Sequence, residues 1–247
     1  TATTSTITPD TSVVAGGLTD GEPVTFVVAA ITLDGVGSVS APSNEVTPQV
    51  FFPFASAGAE VDRLYQDLLG RAPTATERST AVTGLLDGTL TPSGLIARLR
   101  VLPESTANVD PVTRLYRAYF LRIPDVPGLR FWITKRRAGA SLDSISQTFA
   151  NSSEFKNRYG TLGDQAFVEL VFQNVLGRAG DPGGIAFWTN QLATKARTRG
   201  QVMIGFSESN EYKTKQFAEV EVSVQYISLL GRAPSAAEFA QKVSEFD

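Results

Sequence analysis

The sequence predicts a modular protein in which a small β segment precedes an all-α array of three to four related helical units. Two observations predict this fold class. Residues 1–50 are rich in Thr, Ser, Val and Gly and contain short β-favouring runs. From residue 59 onward the apolar residues follow a helical period, and one motif recurs along the chain. We therefore expect a β module over 1–50, a linker over 51–58 and a helical array over 59–247.

Composition narrows the chemistry that the chain can perform. It contains no cysteine and no histidine, which excludes disulfides and thiolate metal sites and removes the usual zinc ligand and the commonest general base. No aspartate-rich calcium loop is present either. We expect no catalytic residues, no metal site and no cofactor.

Charge and hydropathy narrow the range of partners. The formal net charge is -3 and only 19% of the residues are charged, which is too weak and of the wrong sign to hold a phosphate backbone. No stretch approaches the roughly 20 apolar residues that cross a bilayer. We expect neither a nucleic-acid partner nor a membrane-spanning segment.

The β segment has a recognisable order of strands and turns. A run over 24–31 leads to a turn at Asp34-Gly35 and a second weak strand over 37–39. Together with Gly17-Leu18-Thr19-Asp20-Gly21 and Ser40-Ala41-Pro42-Ser43, this order resembles the second half of a fibronectin type III domain. The resemblance implies a partial β-sandwich that lacks its first strands, and Val24 stands where that family usually has a tyrosine.

The recurring motif is an apolar helix that ends in Leu-Gly-Arg or a close variant of it. The repeated arginines are separated by 51, 56 and 54 residues, a period that fits about three helices per unit. The predicted units are 59–109, 110–163, 164–218 and a truncated 219–247. The four arginines are Arg71, Arg122, Arg178 and Arg232.

Helix start signals follow each repeated arginine. Units one and four carry capping boxes, Thr74 to Glu77 and Ser235 to Glu238, in which the cap and the third helical residue satisfy each other's backbone N–H groups. Units two and three start with Asp125 and Asp181 as caps, each followed within two residues by a proline. A helix is expected to begin at each of these positions.

Later motifs carry a second resemblance. The pairs Phe131-Trp132 and Phe187-Trp188 recur, as do the runs Phe149 to Phe155 and Phe206 to Tyr212. With the Leu-Gly-Arg motif, they resemble the bacterial family called domain of unknown function 4214 over about residues 59–247. The resemblance implies a helical fold similar to phycobilisome linker domains, and a place in large secreted or cell-surface proteins.

The repeated arginines allow two interpretations. A guanidinium can clamp a carboxylate or another anion through two parallel hydrogen bonds. Alternatively, each arginine follows a helix C-terminus and hydrogen-bonds the carbonyls left unpaired there, tying neighbouring loops together. Repetition favours the structural interpretation, because a catalytic site is seldom built four times in one chain.

The other candidate residues are aromatic or acidic. Trp132 and Trp188 could stack on sugar rings, but their apolar neighbours favour packing in the core. Glu154 and Glu211 lie where a helix N-terminus favours negative charge. Nothing in the spacing selects a catalytic carboxylate pair such as Glu154 with Asp181. The basic stretches 135–137 and 195–199 are expected to be solvated helix ends.

These observations favour a non-catalytic structural role. The expected function is that of an extracellular scaffold of the fibre, sheath or surface-layer type, which assembles with itself or attaches to other surface proteins. Two alternatives stay open: an accessory module that binds polysaccharide, and the C-terminal tail of a large secreted hydrolase or adhesin.

Overall fold

The computed structural model describes residues 23–32, 35–45 and 53–246. The chain divides into two compact units, Thr1–Ser56 and Ala57–Asp247. The sequence motifs at 17–21, 34, 46–48 and 51–52 lie outside the described residues.

The described part of Thr1–Ser56 is a β-hairpin. Strands β1 (Ala29–Thr32) and β2 (Gly35–Val39) are antiparallel, with Ala29 opposite Val39 and Thr32 opposite Gly35. The pairing extends beyond the strands, since Ser40 N–H donates to the Val28 carbonyl at 2.7 Å. Val28, Val36 and Val39 are exposed. The described residues therefore show a two-stranded hairpin, and the predicted partial β-sandwich is not seen among them.

The compact part of the chain from Ala57 to Asp247 is helical, as the sequence predicts. Three of its helices continue into short π-helical turns, here called π1, π2 and π3. The elements are α1 (Ala57–Leu64), π1 (Tyr65–Leu69), α2 (Ala75–Asp87), α3 (Pro92–Arg100), α4 (Pro103–Asn108), α5 (Asp110–Phe120), α6 (Val126–Arg137), α7 (Leu142–Ala150), α8 (Ser153–Tyr159), α9 (Asp164–Val171), π2 (Phe172–Leu176), α10 (Pro182–Ala193), α11 (Arg199–Ser207), α12 (Asn210–Lys215), α13 (Phe217–Gln225), π3 (Tyr226–Leu230) and α14 (Ala236–Ser244).

Each π turn ends at a glycine in the left-handed conformation. Gly70, Gly177 and Gly231 have φ of 77°, 67° and 63°, values that a residue without Cβ adopts at little cost. Helix α5 ends the same way, but at Leu121, with φ of 53°. The leucine therefore adopts a conformation in which its Cβ crowds the backbone.

The predicted helix starts are confirmed. Thr74 and Ser235 form complete capping boxes with Glu77 and Glu238. Asp125 accepts the Gly128 N–H at 2.7 Å, and Asp181 accepts that of Gly184 at 2.8 Å, each with proline in the first turn. These caps fix where α2, α6, α10 and α14 begin.

Helix α5 lies at the centre of the helical unit. It contacts α6, α7, α11 and α13, and it fully buries Tyr119, whose hydroxyl donates to the Ser146 carbonyl at 2.9 Å. Helix α1 also contacts π3, so that the first and last parts of the unit meet. This closure joins the first predicted segment, 59–109, to the fourth, 219–247.

Candidate functional site

The four repeated arginines share one local arrangement. Each guanidinium lies over the aromatic ring six residues earlier, a geometry that attracts a cation to the ring face. The distances from the guanidinium carbon to the ring centroid are 5.4 Å for Arg71 and Tyr65, 5.1 Å for Arg122 and Tyr116, 5.4 Å for Arg178 and Phe172, and 5.3 Å for Arg232 and Tyr226. We call each ring, arginine and carboxylate partner an arginine cluster.

In two clusters the carboxylate comes from the capping box. Arg71 donates to both oxygens of Glu77 at 2.9 and 2.8 Å, and Arg232 donates to both oxygens of Glu238 at 2.9 and 2.6 Å. Each glutamate also accepts the N–H of its cap residue, Thr74 or Ser235. One carboxylate thus fastens the turn to the start of the following helix.

In the other two clusters the carboxylate comes from a later helix. Arg178 donates to the two oxygens of Glu211 at 2.6 and 2.8 Å, and Arg122 donates to those of Glu154 at 3.3 and 3.4 Å. The segments 110–163 and 164–218 start their second helix with an aspartate cap and have no glutamate at the third position, so each arginine pairs with a glutamate of a later helix. Arg122 also lies 3.5 Å from its own helix cap, Asp125. Arg71 reaches the corresponding Glu104 as well, at 3.5 Å.

The pKa values of three carboxylates in these clusters, those of Glu77, Glu211 and Glu238, lie below the ordinary range of a glutamate. Hydrogen bonds from Arg71 and from the Thr74 backbone lower the pKa of Glu77 to about 2. The same cause lowers the pKa of Glu211 beside Arg178 and that of Glu238 beside Arg232. Since the arginines remain protonated, each cluster is a closed ion pair near neutral pH.

The backbone carbonyls at the ends of the first helices are bound by other cations. The only backbone carbonyl to which Arg71, Arg122, Arg178 or Arg232 donates, among the described residues, is that of the residue immediately after it. Carbonyls of the last helical turn instead accept from Arg137, Arg158 and Lys215, on Asp67, Tyr119 and Leu176 at 2.8, 3.1 and 2.7 Å. Basic side chains therefore do hydrogen-bond the carbonyls at these helix ends, as the structural interpretation predicts. They are Arg137, Arg158 and Lys215, however, and not the four repeated arginines.

The basic stretches are less solvated than the sequence predicts. Arg137 is partly buried against π1, and Arg199 donates to the carbonyls of Tyr159 and Leu162 while it lies 4.7 Å from the centroid of Phe167. Both side chains stabilise the ends of other helices. Charge alone does not reveal this, because the carbonyls that bind them lie 37 or more residues away.

The two tryptophans are half-buried and pack on phenylalanines of the third helix of their units. Trp132 lies 5.0 Å from Phe149, and Trp188 lies 5.6 Å from Phe206, measured between ring centroids. The preceding rings, Phe131 and Phe187, are exposed. The tryptophans therefore contribute to the core, while the phenylalanines face solvent.

Two further groups of ion pairs, one around the buried Arg100 and one around the partly buried Arg114, are not predicted by the sequence. The buried Arg100 donates to Glu221 at 2.6 Å and lies 2.6 Å from Asp110, whose pKa burial raises against the opposing effect of the arginine. Arg114 donates to both oxygens of Glu208 at 2.9 and 2.8 Å. The partners are 121 and 94 residues apart, so no local spacing signals them.

Within the part of the chain that the structure describes, no helix has the length and apolar character needed to cross a membrane. The same residues bring together no group of three or more carboxylates that could hold a metal ion.

Comparison with known proteins identifies one region. No curated protein and no solved structure matches the chain. This region is residues 146–216, which run from the middle of α7 to the residue after α12. It contains the cluster of Arg178 and Glu211 together with Trp188. Residues 146–216 match DUF4214, a family described as a domain of unknown function.

Proposed function

We propose that this protein is a non-catalytic structural protein that acts outside the cell, as a scaffold in self-assembly or surface attachment. The observation that carries the proposal is the arginine cluster. In each of the four clusters the arginine forms an ion pair with a glutamate, and this pair connects a turn to another helix. Such groups position helices, whereas a catalytic pair needs one group free to take or give a proton.

We further propose that the four segments 59–109, 110–163, 164–218 and 219–247 are variants of one DUF4214-like module. The ring six residues before each arginine supports this proposal in all four segments. A partial fibronectin type III-like segment over 1–50 is proposed on its sequence motifs. The fibre, sheath or surface-layer role and the extracellular location are extended from the resemblance to secreted and surface proteins.

Self-assembly is tested by the molar mass of the protein in solution. Size-exclusion chromatography with light scattering over a hundredfold range of concentration should show growth into larger, regular species. A monomer at every concentration would remove self-assembly from the proposal. The same series with added calcium tests whether any growth depends on that ion.

A polysaccharide-binding role is the second candidate, and exposed aromatic rings favour it. Phe131 and Phe187 present their rings to solvent beside half-buried tryptophans, as stacking platforms for sugars do. Binding to bacterial polysaccharides that is lost in Phe187→Ala, with unchanged thermal stability, would favour this role. We choose Phe187 for the test because Trp188→Ala would also disturb the contact with Phe206.

A further inference from the structure

A small cavity lies inside the helical part of the chain, where its first and last helices meet. The volume of the cavity is about 100 Å³, and its walls come from π1, α6, α13 and π3, with Val109 between α4 and α5. Two of the lining residues, Gln66 and Thr134, are exposed, so a small molecule can enter from solvent.

The charged side chains of the cavity wall carry an excess of positive charge. They are Arg130, Arg137 and Asp67, and Asp67 also pairs with Arg63 at 2.8 Å. Arg130 donates to the Asp67 carboxylate and to the Ile227 carbonyl, each at 3.0 Å. Among the described residues, Arg137 donates only to two backbone carbonyls of π1. The Arg137 guanidinium therefore has no carboxylate in hydrogen-bond contact, and an anion in the cavity would be attracted to it.

Three hydrogen-bonding groups of this wall have no partner among the described residues. The Nε atoms of Arg130 and Arg137 are buried and unpaired. Ser228 exposes 4% of its surface, and its hydroxyl hydrogen-bonds no other described residue. Buried donors without an acceptor destabilise a fold, so a ligand that supplies acceptors would bind here.

The rest of the wall is apolar. It consists of Val109, Leu129, Ile133, Val224 and Ile227, all of them buried. An inorganic oxyanion would place oxygens against these side chains, whereas an aliphatic carboxylate carries acceptors at one end and hydrocarbon at the other. The cavity is smaller than the one of about 150 Å³ that holds benzene in an engineered protein, so the ligand would have about four or five non-hydrogen atoms.

We propose that this cavity binds a small aliphatic carboxylate of the size of acetate or propionate. Its oxygens would accept from the unpaired donors of Arg130, Arg137 and Ser228, and its alkyl group would contact the apolar wall. The inference goes beyond the proposed scaffold function and does not depend on it, because binding needs no second chain. Since the walls come from the predicted segments 59–109, 110–163 and 219–247, the ligand would also stabilise the closure between them.

The probes are isotopically labelled acetate and propionate, titrated with the whole protein and observed by NMR. The broadening of their carboxylate signals should saturate with a dissociation constant of about 0.1–10 mM, the range open to so small a ligand. Propionamide has nearly the same shape but no charge, and it should not bind measurably. Propionate should also raise the midpoint temperature of unfolding above that in chloride at equal ionic strength.

Three variants locate the binding in the cavity. Arg130→Met should weaken propionate binding about tenfold or more, because it removes a charged donor. Ser228→Ala should weaken it about two- to fivefold, and it keeps both arginines, so it tests the site even if Arg130→Met does not fold. Arg98→Met removes an exposed arginine of α3 that does not line the cavity, and this matched control should leave the affinity unchanged.

Four outcomes would overturn the inference. The first is no saturable binding by the folded protein, which would mean that the cavity holds water alone. The second is equal affinity of the unmodified protein, Arg130→Met and Ser228→Ala for propionate. The third is an equal loss of affinity in Arg98→Met, which would indicate general attraction to positive charge. The fourth is competition by sulfate at the same concentration as propionate, which would contradict the assignment of a carboxylate.

Discussion

The turns π2 and π3 have nearly the same sequence ending but lie in different surroundings. Both are followed by a left-handed glycine and an arginine that stacks on the ring six residues earlier. Leu176 is nonetheless buried under α11 and α12, whereas Leu230 is exposed. The turn and the stacking of the arginine on its ring are therefore determined by the local sequence, whereas the burial of the turn is determined by helices that pack on it from elsewhere in the chain.

The largest expected effect comes from removing a ring that covers π2. Phe206 on α11 is buried, and its ring centroid lies 4.7 Å from that of Phe172 and 5.6 Å from that of Trp188. Phe206→Ala should lower the free energy of unfolding by about 3–5 kcal/mol, because it loses buried apolar surface and leaves a cavity. Urea denaturation followed by circular dichroism measures this difference.

A ring beside π3 gives the matched control. Phe246 is exposed and lies 6.1 Å from the exposed ring of Phe217. Phe246→Ala should change the free energy of unfolding by no more than about 0.5–1 kcal/mol in the isolated protein. A loss of several kcal/mol would mean that the region of π3 is already as well packed as that of π2, and the comparison would fail.

Replacing each of the three glycines with alanine should lower the free energy of unfolding by an amount that depends on the atoms an added Cβ would meet. An added Cβ would lie 2.5 Å from the Arg137 side chain at Gly70 and 2.5 Å from the Lys215 ammonium at Gly177, but would meet nothing at Gly231. Gly231→Ala should cost about 1–2 kcal/mol for the left-handed backbone alone. Gly70→Ala should cost about 1–3 kcal/mol more, and Gly177→Ala an intermediate amount, since a lysine end moves more easily. Urea denaturation gives the ranking.

The reverse substitution at α5 is the control for the backbone contribution. Leu121 adopts the left-handed conformation and exposes 41% of its surface. Leu121→Gly should raise the free energy of unfolding by about 0.5–1 kcal/mol, because glycine relieves the strain at a small loss of packing. Destabilisation by this change would show that contacts of Leu121 outweigh the strain.

The sequence predicts the local half of this comparison well. Capping boxes and aspartate caps involve residues three apart, so the starts of α2, α6, α10 and α14 follow from the sequence alone. The spacing of six residues between ring and arginine is also present in the sequence. The stacking of each arginine on its ring, and the pairing of Arg71 and Arg232 with their capping-box glutamates, could therefore have been found from local patterns, because short-range geometry depends little on the rest of the fold.

The long-range half could not be predicted in the same way. Arg178 and Glu211 were each singled out, but their pairing was not, because 33 residues and several helices separate them. Arg137 was interpreted as a solvated helix end, yet it binds carbonyls of π1 some 70 residues earlier. The closure of α1 against π3 likewise depends on helix packing that no single motif encodes.

The smallest expected effect concerns the pKa values of the glutamates in the arginine clusters. The ordinary pKa of a glutamate is 4.5, and hydrogen bonds from Arg232 lower that of Glu238 even though Leu230, at the end of π3, is exposed. A lowered pKa in the folded state means that the cluster stabilises the fold above about pH 4.5, and that this contribution is lost as the pH falls further. NMR titration of the glutamate carboxylates should show Glu211 and Glu238 both titrating below 4.5.

Two matched variants separate the local from the long-range origin of this effect. Arg232→Gln should raise the pKa of Glu238 towards 4.5 and leave that of Glu211 low, while Arg178→Gln should do the opposite. Each result follows if the cluster needs only its own arginine. If Glu238 instead titrated near 4.5 in the unmodified protein while Glu211 stayed low, Arg232 would not pair with the glutamate of its own capping box as Arg178 pairs with Glu211 on α12. In that case the local sequence that follows π3 would be insufficient to form the cluster, and a carboxylate from a later helix would be needed.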